Sequence, residues 1–205
     1  MERKSMRTIL VKPERCIGCR HCEVACAIEH SESRNLFEAI KENPISKPRI
    51  HVEVAENYLT FPNRCIHCDP APCMQVCPTE ALYRDDETGS VIVNYSKCIR
   101  CGVCAFACPF GVIEFRTVYQ VNLGREVNAK CDNCIDRQKK GMIPACAEAC
   151  KTGALEFGDV NILIRKSRRT FTEKLIKSRD TEVELPEIPE NIMAFRMIMG
   201  ELADL

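Results

Sequence analysis

The sequence predicts an α+β fold in which one small unit is used several times: a strand, a cysteine loop, a short helix and a second strand. A helical extension follows. Three observations predict this. Sixteen cysteines among 205 residues fall into four groups of four. Three of those groups close on a shared pattern, Cys77-Pro78-Thr79-Glu80-Ala81-Leu82, Cys108-Pro109-Phe110-Gly111-Val112-Ile113 and Cys150-Lys151-Thr152-Gly153-Ala154-Leu155. Repetition of this kind marks one supersecondary unit used more than once. Beyond Phe157 the cysteine pattern stops, and Asp159 to about Lys177 reads as helix.

The groups are Cys16, Cys19, Cys22 and Cys26; Cys65, Cys68, Cys73 and Cys77; Cys98, Cys101, Cys104 and Cys108; and Cys131, Cys134, Cys146 and Cys150. Each opens with C-x2-C and ends with a three-residue gap. The first and third follow the full C-x2-C-x2-C-x3-C run that binds [4Fe–4S] clusters in bacterial ferredoxins. Three thiolates within seven residues can wrap one corner of a cubane while the loop's N–H groups turn inward. The fourth is expected to begin the following helix and to ligate a neighbouring cluster. Pro78 and Pro109 suit the turn after that cysteine because proline fixes φ and needs no hydrogen-bond partner. Ala27 and Lys151 stand there in the outer groups.

Other uses of cysteine fit poorly. A disulfide framework belongs to short secreted chains, and Met1 to Lys12 is basic and then strand-like rather than an apolar leader. Structural zinc pairs C-x2-C knuckles at longer separations and has no use for further cysteines at x2 and x3. Radical chemistry with S-adenosylmethionine needs C-x3-C-x2-C in one loop, which is absent. The formal charge is zero, so nothing pulls the chain towards nucleic acid or anionic lipid. No apolar run approaches bilayer length. A cytoplasmic location is expected, where reducing conditions suit many thiolates. Leu, Ile, Val and Phe are thin for this length, so clusters and cysteines are expected to serve as core and iron loss to unfold the chain.

The elements follow in order. Thr8 to Lys12 is a strand leading into the first loop, and Arg20 to Ile28 its helix. An insert runs from Ala27 to Arg64. It holds a short helix, Leu36 to Glu42, capped by Ser33 or Asn35 and stopped at Asn43-Pro44, and an alternating strand from Arg49 to Val54. Leu82 to Arg84 and Val91 to Asn94 form a hairpin around Asp85 to Gly89. Phe115 to Val121 and Arg125 to Ala129 form another, turned at Asn122-Leu123-Gly124. The basic loop Ile135 to Ala145 covers one cluster or faces a partner. After the extension, Thr181 to Glu190 is acidic and extended. Asn191 to Leu205 then places Ile192, Phe195, Met199 and Leu202 on one helical stripe.

His21 and His67 lie inside cysteine loops. With four complete cysteine sets they read as groups that tune potential rather than as Rieske-type ligands. Ile17, Ile66, Ile99, Val103 and Phe106 are expected to keep water from the clusters. No acid–base or nucleophile constellation and no glycine-rich nucleotide loop is present, so the chain is not expected to be an enzyme by itself.

From about Thr8 to Phe157 the chain resembles the four-cluster ferredoxin-like electron-transfer subunits of anaerobic oxidoreductases, such as formate dehydrogenase, hydrogenase and dimethyl sulfoxide reductase. Cys22 to Ser33, Arg84 to Gly89 and Lys130 to Cys134 look most like the iron–sulfur subunit of carbon monoxide dehydrogenase. The resemblance implies two ferredoxin-like dicluster modules, the second inserted in the first. The outer module spans 1–64 and 109–158, the inserted one 65–108, and the helical extension and tail 159–205. It also implies shared ligation: Cys16, Cys19, Cys22 and Cys150 on one cluster; Cys131, Cys134, Cys146 and Cys26 on its neighbour; Cys65, Cys68, Cys73 and Cys108 on a third; Cys98, Cys101, Cys104 and Cys77 on the fourth.

The expected function is relay of single electrons through four [4Fe–4S] clusters. The electrons pass between a catalytic subunit (carbon monoxide dehydrogenase, or a tungsten or molybdenum aldehyde or formate enzyme) and a second redox protein. The tail is available for self-assembly. A free soluble polyferredoxin and an iron–sulfur sensor are the alternatives.

Overall fold

The computed structural model describes residues 7–55, 59–118 and 124–179. Among these residues eight short strands pair into four antiparallel ribbons: β1 (Arg7–Val11) with β8 (Leu155–Asp159), β2 (Ile50–Val54) with β3 (Thr60–Arg64), β4 (Leu82–Arg84) with β5 (Val91–Val93), and β6 (Phe115–Arg116) with β7 (Val127–Asn128). Among the described residues seven α-helices lie between and after them: α1 (His21–Glu29), α2 (Leu36–Ala39), α3 (Pro72–Gln75), α4 (Val103–Phe106), α5 (Ile135–Lys139), α6 (Ala145–Ala149) and α7 (Val160–Arg179).

The β1–β8 ribbon joins distant parts of the chain, with Ile9 opposite Phe157 and Val11 opposite Leu155. Ile9 and Leu155 share a core with Ile50, Val52, Cys22, Cys26 and Cys146, so the first and fourth cysteine groups pack together. Leu82, Val91, Ile113 and Cys104 form a second core, packed on by Cys73, Cys77 and Cys108. Cys65, Val112 and Cys131 form a small third cluster between these territories. Cysteine thus occupies positions that an ordinary domain of this size gives to leucine or isoleucine.

Most expected elements are present, several of them shortened. The Asn35 side chain accepts from the Phe37 N–H at 2.9 Å and caps α2, which ends at Ala39 rather than Glu42. β6 and β7 are two residues each, and the expected turn between them includes residues 119–123, outside those described. The basic stretch after Cys134 is partly helical. Its Arg137 pairs with Glu29 at 3.1 Å and Glu148 at 2.5 Å, fastening α5 to its surroundings.

Two expectations are corrected. The fourth cysteine does not begin a helix. Cys77, Cys108 and Cys150 follow the ends of α3, α4 and α6, and Cys26 lies within α1. Nor do the apolar loop residues seal the loops: Ile17, Ile66, Ile99, Val103 and Phe106 are exposed, Phe106 by 92%. Cys22, Cys65, Cys98 and Cys104 are buried in these loops, and the apolar residues beside them turn out.

By contacts the chain divides into two units, Met1–Leu163 and Ile164–Leu205. All the cysteines lie in the first, where Leu163 packs on Gly158. In the second, α7 carries Arg165, Lys166, Arg168, Arg169, Lys174 and Lys177 beside exposed Phe171 and Ile176. No helix among the described residues is long and apolar enough to cross a membrane. The apolar stripe expected over 191–205 lies outside the described residues.

Candidate iron–sulfur centres

One backbone device recurs in all four cysteine groups. The residue before the second cysteine has positive φ: Gly18 (68°), His67 (56°), Arg100 (59°) and Asn133 (59°). Left-handed residues alternating with ordinary ones turn successive N–H groups into one concavity, which is an anion-binding nest. A second device follows three of the fourth cysteines. Glu80, Gly111 and Gly153, each three residues after its cysteine, also have positive φ. Their N–H groups donate back to the carbonyls of Cys77, Cys108 and Cys150 at 3.2, 3.4 and 3.3 Å. This turn is the physical content of the repeat seen in the sequence. Cys26 departs from it, continuing in helix and accepting the Arg49 N–H on Sγ at 3.2 Å.

The thiols gather across groups. Cys22 has Cys150 and Cys16 acting on it. Cys134 has Cys131, Cys146 and Cys26. Cys68 has Cys65 and Cys108, and Cys104 has Cys98, Cys101 and Cys77. One pocket is lined by Cys77, Cys98, Cys101 and Cys104 together. The gatherings also lie within electrostatic reach of one another in a row: Cys22 acts on Cys146, Cys65 on Cys131, and Cys104 on Cys73. Cys19 and Cys101 are exposed, whereas Cys26, Cys65, Cys131, Cys134 and Cys146 are buried.

The donor chemistry fits iron–sulfur clusters. Burial foremost, then the carboxylates of Glu23 and Asp132 respectively, and after them neighbouring thiols, push Cys22 up to about 12 and Cys131 up to about 11, the latter against Arg64; Cys73 rises to about 11, with burial foremost and Lys130 opposing. Such crowded thiols ionise together only around metal cations, whose charge offsets their repulsion. For Cys77 and Cys150 burial also acts upward, but local N–H groups and the Thr79 and Thr152 hydroxyls bring both below the ordinary thiol range. Buried donors without a protein acceptor point the same way. His67 Nδ1 accepts the Val91 N–H at 3.0 Å, so its proton sits on Nε2, which has no protein partner. Burial and the charges of Lys130 and Arg64 hold that imidazole neutral. Arg64 Nε is likewise buried without an acceptor.

Several polar residues around the thiols carry no signal in cysteine spacing. Asn128 donates to Cys104 Sγ at 3.3 Å. Arg84 reaches the Cys68 carbonyl at 2.5 Å and that of Gly89 at 2.6 Å, stapling the β4–β5 turn to a cysteine loop. Asp132 accepts from Cys134 N–H at 2.9 Å and pairs with His30 and Arg49. His30, Asp132 and Cys134 present possible ligand atoms within 4.8 Å of one another, but Asp132 and the Cys26 carbonyl already engage both His30 nitrogens. What sequence signal there is for these groups lies in the Cys22 to Ser33, Arg84 to Gly89 and Lys130 to Cys134 motifs rather than in the cysteine spacing.

Cysteine nests, inward thiols and spare buried N–H donors define an iron–sulfur protein. Residues 56–160 match the family described as 4Fe-4S dicluster domain. The electron transport protein HydN of Escherichia coli strain K12 is 39% identical over 178 residues, covering 80% of this chain and 97% of its own length. An iron–sulfur protein of Rhodospirillum rubrum is 38% identical over 169 residues, 78% of this chain and 87% of that one. A subunit of the tetrathionate reductase of Salmonella typhimurium is 34% identical over 152 residues, 74% of this chain and 57% of its own. The chain belongs to the [4Fe–4S] dicluster domain family.

Proposed function

We propose that this chain is a non-catalytic subunit relaying single electrons through four [4Fe–4S] clusters between a catalytic oxidoreductase subunit and a second redox protein. The observation that carries the proposal is the exchange of fourth cysteines. Each thiol gathering joins members of one group to the last cysteine of another. This supports Cys16, Cys19, Cys22 and Cys150 as one ligand set and Cys131, Cys134, Cys146 and Cys26 as the next. Cys65, Cys68, Cys73 and Cys108 form the third, and Cys98, Cys101, Cys104 and Cys77 the fourth. The clusters supply the one-electron chemistry; the protein spaces them, keeps the middle of the row dry, and leaves the Cys19 and Cys101 loops open at its ends. Exposed Ile17 beside Cys19, and Ile99 and Phe106 beside Cys101, suit contact with partner proteins at those ends. The shared core of the first and fourth groups favours the nested reading, with 65–108 as the inserted module.

The relatives support the partner class. They are named for electron transport and for a subunit of tetrathionate reductase. The Cys22 to Ser33 motif favours a carbon monoxide dehydrogenase-type partner within that class. We place the complex in the cytoplasm and give the tail an assembly role, binding either the catalytic subunit or a second copy. Anaerobic purification of the untagged chain from its native cell tests the subunit role. Co-elution with a metalloenzyme is expected; elution alone would identify a free polyferredoxin.

A further inference from the structure

Lys130 is 1% exposed, and its Nζ faces three acceptors: the Val91 carbonyl, the Cys131 carbonyl at 2.8 Å and Cys65 Sγ at 3.8 Å. An ammonium has three N–H donors and no acceptor, so three acceptors match its charged form. Arg64, 2% exposed, acts with it on His67. It donates to the Cys65 carbonyl and the Ile9 carbonyl, each at 2.7 Å, and acts on Cys131 and Cys146. No carboxylate pairs with either cation among the described residues. A buried charge without a counter-ion is costly, so these two cations need negative charge nearby.

The counter-charge available is that of the clusters themselves. Four thiolates give a cluster net negative charge, and reduction adds one more. The two cations stand at the junction of the Cys65 and Cys131 sets, which are the middle members of the row. At its ends the surroundings differ. The side-chain hydrogen bonds to thiols of the Cys98 set involve the neutral groups Asn128 and Thr79. Arg20 and Arg100, beside the terminal loops, are more than half exposed and paired with Glu23 and Glu126, so water screens them.

We propose that Lys130 and Arg64 raise the reduction potentials of the two middle clusters above those of the terminal pair, so that the row holds its electrons inside. This rests on the four-cluster reading. Two middle sites hold two electrons, enough to couple a one-electron carrier to a two-electron catalytic reaction. Lys130 and Arg64 act here as tuning residues and take no part in ligation.

Anaerobic redox titration of the full chain, followed by electron paramagnetic resonance, tests this. In Lys130→Met, one high-potential step moves to more negative potential. At fixed potential its reduced-to-oxidised ratio falls about tenfold, equivalent to about 59 mV for one electron. Lys130→Arg restores it. A second measurement does not depend on the Met variant folding. The wild-type step displaced by Cys108→Ser belongs to the Cys65 set and must be one of the two highest. Iron-replete Lys130→Met with unmoved potentials, or a Cys108→Ser step among the two lowest, overturns the inference. Iron analysis of the wild type reads the four-cluster premise separately: fewer than about sixteen irons contradicts that premise and not the lysine's role alone.

Discussion

Arg49 Nη1 donates to Asp132 Oδ2 at 2.8 Å, binding the start of β2 to the loop of the fourth cysteine group across 83 residues. The same arginine gives its backbone N–H to Cys26 Sγ, so one residue fixes two thiol-bearing segments at once. Burial would raise the Asp132 carboxyl, but the charges of His30 and Arg49 and its hydrogen bonds hold it far below the usual carboxylate range.

Removing one partner of this buried pair should therefore cost more than removing both. Arg49→Met is expected to destabilise the holoprotein by about 3 kcal/mol, and Arg49→Met with Asp132→Asn by less, since the single change leaves the buried carboxylate with His30 alone as its charge partner. Anaerobic denaturant titration followed by cluster absorbance measures both. Equal losses in the single and double variants would show that the pair is not coupled.

Gly18 offers a sharper local test. Its φ is +68°, and an added Cβ would meet Thr60 Cγ2 at 3.0 Å, while the Thr60 hydroxyl is held by the Cys16 carbonyl. Gly18→Ala should cost about 1–2 kcal/mol for the backbone alone, plus the close approach. At Gly102 the nearest atom would be a Phe106 ring carbon at 3.9 Å, so Gly102→Ala carries the backbone cost alone. Cluster-loss rates on mild heating should rank Gly18→Ala faster than Gly102→Ala, and the reverse order would contradict this account of the loops.

Ligand crossing can be read from single cysteine variants. Cys26→Ala should damage the cluster held by Cys131, Cys134 and Cys146, leaving that of Cys16, Cys19 and Cys22 largely intact. The assay is electron paramagnetic resonance of the reduced protein. Loss confined to the Cys16 set would refute the proposed exchange.

These relationships divide into those the sequence displays and those it conceals. Cysteine spacing, the Asn35 cap and the β4–β5 hairpin are local, so a few neighbouring residues suffice to specify them. The inward course of the Cys16 and Cys98 loops is local too, yet the outward turn of Ile17 and Phe106 is hidden, because apolar character does not say which side of a tight loop a residue takes. Arg64 and Lys130 are illegible for a different reason. Nothing in a basic residue beside cysteine shows that it is buried, since its acceptors, Ile9 and Val91, come from remote strands.

The tail carries its own prediction. Read from the sequence alone, Ile192, Phe195, Met199 and Leu202 would share one stripe of a helix, and an isolated helix of that length is marginal. Deleting residues 190–205 should leave iron content unchanged and shrink the assembly seen by sedimentation. Lost clusters or lost solubility at unaltered assembly size would assign the tail to its own domain.

The central claim is the metal itself. Sixteen cysteines in four complete sets call for about sixteen irons and an equal number of inorganic sulfides in each anaerobically purified chain, with brown absorbance that bleaches on strong reduction. Stoichiometric zinc with negligible sulfide would contradict the account outright.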